Sequence, residues 1–343
     1  MLSKIILSKD NLLYNLSEIK KRTNGKICMM VKANAYGHGL TEVATLIKDQ
    51  VAFFGVANQE EAETIREICD TPIIVFGVCD DYFRCMQKNI SFALFSLKMT
   101  KNIIKIAKKS QFYPKLHLCI NSGMNRYGIK NLKEFVKIIR LLKNNDIKLE
   151  GVYTHFSSLT TDNKYTQKQR KNFEDFLTFL PGEWKTIIHV GGGNTMFENF
   201  NADMYRIGLG IYGYGFDFVK PVLKIKSRIV EIEDVERGEH VGYLCSFTAN
   251  KKMKVATIPI GYADGLPRKL SNNISVELNG KQAKNCGNIC MDTFMVDVSD
   301  IKCKIGDEVL VLDDAKIWAK LLDTTVYEVL TNFCKFRGDR EIE

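Results

Sequence analysis

The sequence lacks the features of a membrane-bound or secreted protein. No stretch of its 343 residues reaches the roughly 18 uninterrupted apolar residues that a membrane span needs. The apolar run in the stretch MLSKIILSKDN is too short for a secretory signal peptide. We therefore expect a cytoplasmic protein with no membrane partner.

The sequence also lacks a CxxC pair, although it contains ten cysteines. Most of the cysteines lie singly inside apolar runs. Cys286 and Cys290 form a CxxxC pair, but no cluster of histidines or cysteines is present to complete a zinc site. We expect reduced thiols and no metal site.

A third absence concerns nucleic acids. The formal net charge is +9, and a basic surface can bind nucleic acid. The lysines, however, are spread along amphipathic segments such as KNIIKIAKKS. Aromatic residues do not alternate with the basic ones, as stacking on bases would require. We therefore expect no nucleic-acid partner, and the basic surface would serve to attract anionic ligands.

What the sequence does contain is a regular alternation of short apolar runs and longer amphipathic segments. The predicted strands are 27–32, 53–57, 72–76, 90–95, 115–121, 149–155, 186–191 and 204–207. Segments such as GLTEVATLIKDQ and NLKEFVKIIRLLKNN separate them and have helical periodicity. Eight such repeats predict a (β/α)8 barrel, with a doubly wound sheet as the alternative.

After residue 225 the pattern changes to short strands separated by Gly, Asn and Asp turns, as in ISVELNGKQAKNCGNICMD. The sequence therefore predicts an α/β protein with two domains. The barrel is expected over residues 1–225, and a mostly β second domain over residues 226–343.

Lys32 ends the first predicted strand of the barrel and begins the glycine-rich stretch VKANAYGHG. Its amine could simply extend into water from a strand end. Alternatively, Lys32 is a nucleophile, because a partly desolvated amine has a lowered pKa and forms a Schiff base with an aldehyde. These nine residues alone do not decide between the two.

Other polar groups lie at the ends of later strands, where barrels of this kind place their chemistry. They are Asn121 and nearby Arg126, His155, His189, and Arg206 with Gly208. The stretch GGGNTMF, with Gly193, Asn194 and Thr195, resembles a phosphate-binding turn, although alone it could be only a flexible turn. A lysine facing a phosphate site predicts pyridoxal 5′-phosphate as the cofactor.

Motifs along nearly the whole chain resemble those of the bacterial alanine racemases. They are VKANAYGHG, FFGVANQEEAETIR, NSGMNRYGI, GVYTHFSS, MYRIGLGIYG, VGY, IPIGYADGLPR, GNICMD and YEVLT, in the order and approximate spacing of that family. The first of these and the GYADG and CMD pair are highly specific. The resemblance implies a barrel followed by a β domain, working as a homodimer in which the partner's second domain completes each active site.

The resemblance also implies roles for individual residues. Lys32 would carry the cofactor, and Arg206 would face its pyridine nitrogen. His155 would lie near the ring, and His189 would hold Arg206 in place. The phosphate would be bound by Tyr36, Tyr327, Gly208 and Leu209.

Substrate-binding roles follow from the same resemblance. Arg126 would face the ring hydroxyl and the substrate carboxylate. From the partner subunit, Tyr262, Met291 and Asp292 would line the substrate entrance. Without the resemblance, we would interpret Tyr262 as part of a β-turn and Met291 as a core residue.

The chain departs from the family pattern at the second catalytic base. Racemisation removes a proton from one face of the α-carbon and returns one to the other. The family's second base is a tyrosine four residues after the tyrosine of VGY, but this chain has Phe247 there. A phenyl group carries no proton. If residues 243–247 are extended, Tyr243 shares a face with Phe247, so we consider Tyr243 or an ordered water as the proton relay.

Other departures concern the supports of the site. Cys119 stands where family members often have a carbamylated lysine bonded to the arginine of GMxR, and Asn121 stands where they often have aspartate. Arg126 would then be held by an anion or by Asn121. Gly192 and Gly193 replace an Asn-Ser pair, so Thr195 would supply the hydroxyl.

Three functional hypotheses follow. The first is a racemase that interconverts L- and D-alanine for peptidoglycan precursors. The second is a one-base enzyme with the same cofactor, of decarboxylase or aldolase type, which Phe247 favours. The third is a non-catalytic cofactor-binding protein, which Arg126, Met291 and the complete β domain oppose.

Overall fold

A computed structural model describes residues 2–159, 162–192, 195–197 and 200–343 of the chain. These residues form two compact units. The barrel unit comprises residues 15–32 and 43–211. The second unit comprises the residues up to Tyr14, residues 33–42 and the residues from Tyr212 onwards.

The short apolar runs form β-strands. In the first part of the chain, the strands are β1 (Lys4–Leu7), β2 (Lys26–Met30), β3 (Phe53–Val56), β4 (Ile73–Val75), β5 (Ser91–Leu94), β6 (Leu116–Cys119), β7 (Leu149–His155), β8 (Ile187–Gly191) and β9 (Met204–Ile207). Those that follow are β10 (Leu223–Arg228), β11 (Glu231–Val235), β12 (His240–Val241), β13 (Phe247–Thr248), β14 (Met253–Ile258), β15 (Ser275–Leu278), β16 (Lys281–Lys284), β17 (Phe294–Asp297), β18 (Glu308–Leu312) and β19 (Asp339–Ile342).

The amphipathic segments form right-handed α-helices. They are α1 (Lys9–Lys21), α2 (Leu40–Ile47), α3 (Gln59–Arg66), α4 (Tyr82–Gln87), α5 (Leu97–Ser110), α6 (Leu132–Lys143), α7 (Asn163–Leu177), α8 (Ala315–Leu322) and α9 (Val326–Thr331). Helices α3 to α7 each begin after an Asn, Asp or Ser whose side chain accepts a hydrogen bond from the first turn. Such caps satisfy N–H groups that have no partner inside the helix.

In the barrel unit, strands β2 to β9 form a closed barrel in which all neighbouring strands are parallel. β3, β4, β5, β6 and β9 are buried along their whole length, as expected for strands that are covered on both faces. The predicted barrel is therefore confirmed. The doubly wound alternative is wrong, because β9 pairs with β2 and the sheet has no edge.

The second unit is mostly β, as the sequence predicts. Its largest sheet has six strands in the order β16-β15-β18-β10-β1-β19, and a smaller sheet has the order β11-β14-β17. β12 and β13 form a separate two-stranded pair. A small apolar core beside this pair contains Val241, Ala249, Met253, Val255 and Cys286.

Strand β1 belongs to the sheet of the second unit, which the sequence did not reveal. It pairs antiparallel with β10 and parallel with β19. The sequence analysis assigned residues 1–225 to the barrel domain as one block, and the boundary between residues 225 and 226 stays a prediction. The pattern of a four-residue strand carries no information about which distant strand it will join.

No helix in the described part of the chain is both long enough and apolar enough to cross a bilayer. All ten cysteines are free thiols.

The segment after Lys32 forms a left-handed turn, which is rare for residues other than glycine. Ala33, Asn34, Ala35 and Tyr36 have φ angles of 53°, 50°, 52° and 54°. A left-handed conformation costs roughly 1–2 kcal/mol per L-residue. Four such residues in succession therefore need compensating contacts.

Asn34 supplies several of these contacts within the second unit. Its Nδ2 donates to the carbonyl of Cys334 at 3.0 Å, and its Oδ1 accepts from the backbone N–H of Leu40 at 2.7 Å. The Gly37 N–H donates to the carbonyl of Ala33 at 3.0 Å. Asparagine also tolerates the left-handed region better than most residues. The turn is thus held at both its start and its exit.

We predict that Asn34→Ala lowers the free energy of unfolding by about 2–3 kcal/mol, because two side-chain hydrogen bonds and the conformational preference are lost together. The measurement is denaturant unfolding. Asn89→Ala is the matched control, because Asn89 is also left-handed (φ 53°) but lies exposed after α4. The control should cost about 1 kcal/mol or less. Equal losses in the two variants would show that the side-chain bonds of Asn34 contribute nothing.

Candidate active site

The carboxyl ends of the barrel strands gather the polar residues of the barrel unit. Lys32 follows β2 by two residues, and His155 is the last residue of β7. Gly208 and Leu209 follow β9, which pairs with β2 on one side and β8 on the other. Because parallel strands end at the same rim, these groups lie on one side of the barrel.

The amine of Lys32 is half-buried and makes no hydrogen bond or ion pair with the described residues. Burial lowers the pKa of Lys32, and the positive charges of Arg126 and Arg206 lower it further. The nearby carboxylate of Glu61 opposes this shift. A desolvated amine with a lowered pKa is suited to attack an aldehyde.

Arg206 is buried inside the barrel, with only 6% of its surface exposed. Its NH1 lies 3.0 Å from His189 Nδ1, and its NH2 donates to the carbonyl of Thr154 at 2.7 Å. The predicted contact between His189 and Arg206 is therefore present in the structure.

Two aromatic rings flank the guanidinium of Arg206. Its central carbon lies 5.1 Å from the ring centre of Phe76 and 4.7 Å from that of Tyr153. Such contacts stabilise a cation whose water shell has been removed. Tyr153 also stacks on His189, with ring centres 4.9 Å apart. The plane and position of the guanidinium are thus restricted on several sides.

His155 is a neutral histidine in this environment. Burial lowers the pKa of His155 to about 3, and the charges of Arg206, Arg126 and Lys32 add to the effect. An imidazole in this state can accept or donate a hydrogen bond, but it does not carry a charge near neutral pH.

Arg126 is exposed, and its side chain makes no hydrogen bond with the described residues. Asn121 does not hold it: Asn121 Oδ1 accepts from the N–H groups of Gly123 and Asn125 at 3.2 and 3.0 Å. Cys119 lies in an apolar cluster with Ala93 and Tyr153. Burial raises the pKa of Cys119 to about 11, so this side chain is a neutral thiol and offers Arg126 no charge.

The glycine-rich stretch after β8 is only partly described. Gly193 and Asn194 lie outside the described residues. Thr195 is buried, and its hydroxyl donates to the carbonyl of Gly192 at 2.7 Å. The Thr195 oxygen keeps its lone pairs and can still accept a hydrogen bond.

In the second unit, Tyr36 and Tyr327 lie in one aromatic cluster. The ring centre of Tyr36 is 5.7 Å from that of Tyr327 and 5.1 Å from that of Tyr212. Burial raises the pKa of Tyr327, so its phenol keeps its proton. The two tyrosines that the resemblance assigns to the phosphate are therefore neighbours that can donate hydrogen bonds.

Tyr262, Met291 and Asp292 lie in two loops that contact each other in the second unit. The Tyr262 N–H donates to the carbonyl of Cys290, and that of Ala263 donates to the carbonyl of Met291, both at 3.0 Å. Tyr262 and Met291 are 43% and 53% exposed. Core packing is therefore wrong for Met291.

Arg337 connects the same two loops. It forms two hydrogen bonds with Asp264, at 2.6 and 2.9 Å, and an ion pair with Asp292 at 2.9 Å. Asp264 also accepts from the Gly261 N–H at 2.9 Å. The loops that carry the predicted entrance residues are thus fixed to the C-terminal segment.

The segment from Tyr243 to Phe247 is not extended. Residues Tyr243–Cys245 form a 3-10 turn in which Leu244 and Cys245 have φ angles of 62° and 49°. Tyr243 is 70% exposed, whereas Phe247 begins β13 and packs against the apolar core beside it. The strand alternation that would put the two side chains on one face is therefore absent.

Several residues near these groups were not found from the sequence. His117, Glu150 and Tyr153 extend the surroundings of Arg206 and His189 inside the barrel, and Arg337 holds the entrance loops. A histidine in the strand KLHLCIN and a glutamate in LEGVYTH were visible as polar residues in buried strands. Only the pairing of strands brings them together. Among the described residues no cluster of three or more His, Cys, Asp or Glu could hold a metal ion.

Comparison with known proteins identifies the same two parts in the chain. The family model described as alanine racemase, N-terminal domain, matches residues 7–215, and that described as alanine racemase, C-terminal domain, matches residues 222–341. An alanine racemase of Helicobacter pylori is 33% identical over 95% of this chain and 95% of its own. Alanine racemase 2 of Caldanaerobacter subterraneus is 33% identical over 95% of this chain and 91% of its own.

Solved structures show the same similarity. An alanine racemase of Clostridium difficile 630 superimposes with a TM-score of 0.93 at 34% identity, covering 100% of this chain and 96% of its own. An alanine racemase of E. faecalis superimposes with a TM-score of 0.93 at 26% identity, covering 100% of this chain and 98% of its own. The similarity therefore extends over both units.

Proposed function

The chain belongs to the alanine racemase family, and from this premise we propose that Lys32 binds the cofactor and moves protons in the interconversion of L- and D-alanine. The family predicted from the motifs is confirmed by both domain models and by relatives that cover most of the chain. The cofactor is pyridoxal 5′-phosphate, and a structure of this fold, from Bartonella henselae, has it covalently bound. The alternative one-base function is not favoured, since the relatives are named as racemases.

The observation that carries the proposed roles is the half-buried amine of Lys32, which pairs with none of the described residues. It lies at the same end of the barrel as His155, within reach of the charge of Arg206. Bound pyridoxal phosphate supplies an aldehyde for that amine and a ring that acidifies the substrate's α-proton. The lowered pKa of Lys32 increases the fraction of neutral amine. Lys32 can therefore accept a proton on one face of the substrate.

Arg206 would hold the pyridine nitrogen. A guanidinium has only donors and keeps its protons at any working pH. It can hydrogen-bond to an unprotonated nitrogen without transferring a proton to it. The ring then accepts electrons less strongly, which restricts side reactions during the exchange of the α-proton.

The remaining contacts are proposals that rest on motif position and local geometry. Tyr36, Tyr327, Gly208, Leu209 and Thr195 would bind the phosphate. Gly193 and Asn194 keep the same proposed role.

On the substrate side, Arg126 would meet the carboxylate. Its side chain forms no hydrogen bond within the part of the chain that the structure describes, so its donors are available for an anion. From the partner subunit, Tyr262, Met291 and Asp292 would line the entrance.

We further propose that the protein acts as a homodimer in the cytoplasm and supplies D-alanine for peptidoglycan. The support for the dimer is the motif distribution. GYADG and CMD lie in the second unit, and Lys32 lies in the barrel unit. Exposed Tyr262 and Met291 are available to meet a second copy of the chain.

We predict that Lys32→Ala abolishes the visible absorbance and the borohydride-reducible link of bound cofactor, because no other amine replaces the nucleophile. Racemisation should fall by about 10³-fold or more. Lys133→Ala, which changes an exposed lysine on α6, is the control and should leave both properties intact. A reducible link that persists at another lysine would refute the assignment.

We predict that Phe247→Tyr accelerates proton exchange on the face opposite Lys32, because it restores a phenol to the family's position. A general base typically contributes 10²–10⁴-fold, and a gain on that scale is expected. The measurement is the exchange of Cα protons of L- and D-alanine in deuterated water, with Phe247→Leu as the control.

The exchange pattern of the unmodified protein distinguishes the functions. Exchange from both enantiomers, with one of them slow, is expected for a racemase that lacks the second phenol. Exchange from a single enantiomer would support a one-base enzyme. Fast exchange from both, with no gain in Phe247→Tyr, would mean that Tyr243, a water or another group already serves as the second base.

We predict that Lys32→Ala and Met291→Arg subunits, each inactive alone, regain activity when mixed. In a dimer with shared sites, about half of the molecules would be hybrids with one intact site each, giving about a quarter of the original activity. Activity is measured after mixing, mild denaturation and refolding. A fully active monomer at micromolar concentration would contradict the shared site.

A further inference from the structure

A chain of hydrogen bonds runs from Arg206 through the barrel interior to Glu150. His189 Nδ1 faces Arg206 NH1 at 3.0 Å, and His189 Nε2 faces His117 Nδ1 at 2.9 Å. His117 Nε2 faces Glu150 Oε2 at 2.9 Å. The hydroxyl of Ser91 donates to the same carboxylate oxygen. Four side chains from β6, β7, β8 and β9 are thus joined in a single series.

The two ends of this chain fix the position of every proton in it. A guanidinium can only donate and an ionised carboxylate can only accept. His189 therefore accepts at Nδ1 and donates from Nε2, and His117 accepts at Nδ1 and donates from Nε2. Both imidazoles are neutral, and all hydrogen bonds point from Arg206 towards Glu150.

The ionisation states agree with this assignment. Burial lowers the pKa of both His117 and His189, so neither carries a charge near neutral pH. Burial alone would raise the pKa of Glu150, but the hydrogen bonds that it accepts from His117 and Ser91 lower the pKa overall. Glu150 is therefore a carboxylate.

The series of hydrogen bonds explains how the charge of Arg206 is compensated. Burying an unpaired charge is costly, yet no carboxylate among the described residues forms an ion pair with Arg206. Glu150 is the anion to which Arg206 is connected, through two polarisable rings. Its own side chain is 24% exposed, so the negative charge keeps part of its hydration.

The packing of the barrel leaves room for these rings. A Cβ on Gly151 would lie 2.1 Å from His117 Nδ1 and 3.1 Å from His189 Nε2. A Cβ on Gly191 would lie 2.3 Å from Arg206 NH2. Any side chain at Gly151 or Gly191 would displace one of the hydrogen-bonded side chains.

We propose that Glu150 and His117 are positioning residues that set the proton-donating strength of Arg206 towards the cofactor ring. The inference rests on the proposed contact between Arg206 and the pyridine nitrogen. The negative charge of Glu150 polarises both imidazoles and makes His189 Nδ1 a stronger acceptor, as carboxylates do for histidine ligands elsewhere. Arg206 then donates more strongly to His189 and withdraws less electron density from the pyridine ring of the cofactor.

Weakening the chain should therefore release a specific side reaction. When Arg206 donates more strongly, the ring becomes a better electron acceptor, and a proton can return to the cofactor instead of to the α-carbon. Water would then hydrolyse the C=N bond, so that pyruvate leaves with the oxygen of that water and the amino group stays on the cofactor. The electron pair of the alanine Cα–H bond reduces the cofactor, so the step balances without an added oxidant. The quantity that reports this is pyruvate released per racemisation event.

The test compares Glu150→Gln, His117→Asn and the double variant in the holoenzyme. Glu150→Gln removes the charge but keeps the shape, and His117→Asn keeps an acceptor for His189 but breaks the connection to Glu150. Each should raise pyruvate per racemisation on the order of tenfold, with little change in KM. The double variant should show no further rise, because both act through one chain. Glu183→Gln, which removes an exposed carboxylate paired with Lys143, should change nothing.

A second measurement does not depend on turnover. The protein has only five histidines, so ¹⁵N NMR of labelled holoenzyme can report the ring nitrogens of His117 and His189. A single neutral tautomer with the proton on Nε2 is expected at both. A proton on Nδ1 or a charged imidazole would overturn the proposal, as would variants that lose turnover with an unchanged pyruvate ratio. Absence of racemisation in the unmodified protein would instead contradict the proposed function, and the NMR result would still decide the proton arrangement.

Discussion

The constraint on which the barrel interior depends is the buried positive charge of Arg206. A guanidinium that is removed from water needs acceptors for its N–H groups, neighbours that cover its two faces, and a negative charge that balances its own. Thr154 and His189 accept its hydrogen bonds, and Phe76 and Tyr153 cover its faces. These contacts come from β7, from β8 and from the residue after β4, while Arg206 itself lies on β9. The barrel must therefore assemble correctly for this charge to be placed correctly.

The sequence predicted the barrel well, because each of its strands has a local signal. The predicted run 149–155 coincides with β7, and the predicted run 204–207 coincides with β9. Periodicity is a property of neighbouring residues, so it survives without knowledge of the fold. The position of β1 could not be predicted in the same way, because its partners β10 and β19 are more than 200 residues away.

The roles of the site residues stay predictions, but individual contacts among them can be compared with the structure. The contact of His189 with Arg206 followed from the resemblance, and the structure contains it. No local sequence pattern marks Glu150 and His117 as site residues, because a single polar residue in a buried strand can occur for many reasons. Tyr243 illustrates the opposite case. Alternation along a strand was assumed for residues 243–247, and a left-handed turn at Leu244 and Cys245 removes the basis for it.

The pairing of β1 with β19 has a consequence for the order of events during synthesis. Residues 339–342 leave the ribosome long after residues 4–7, whereas every strand of the barrel has been made once residue 207 is complete. Since domains tend to fold as they emerge, the barrel strands can pair while β1 still waits for its partner. An exposed apolar strand of this kind is open to wrong pairing until residues 339–342 have been made. The speed of translation between residues 207 and 342 would therefore influence the yield of native protein.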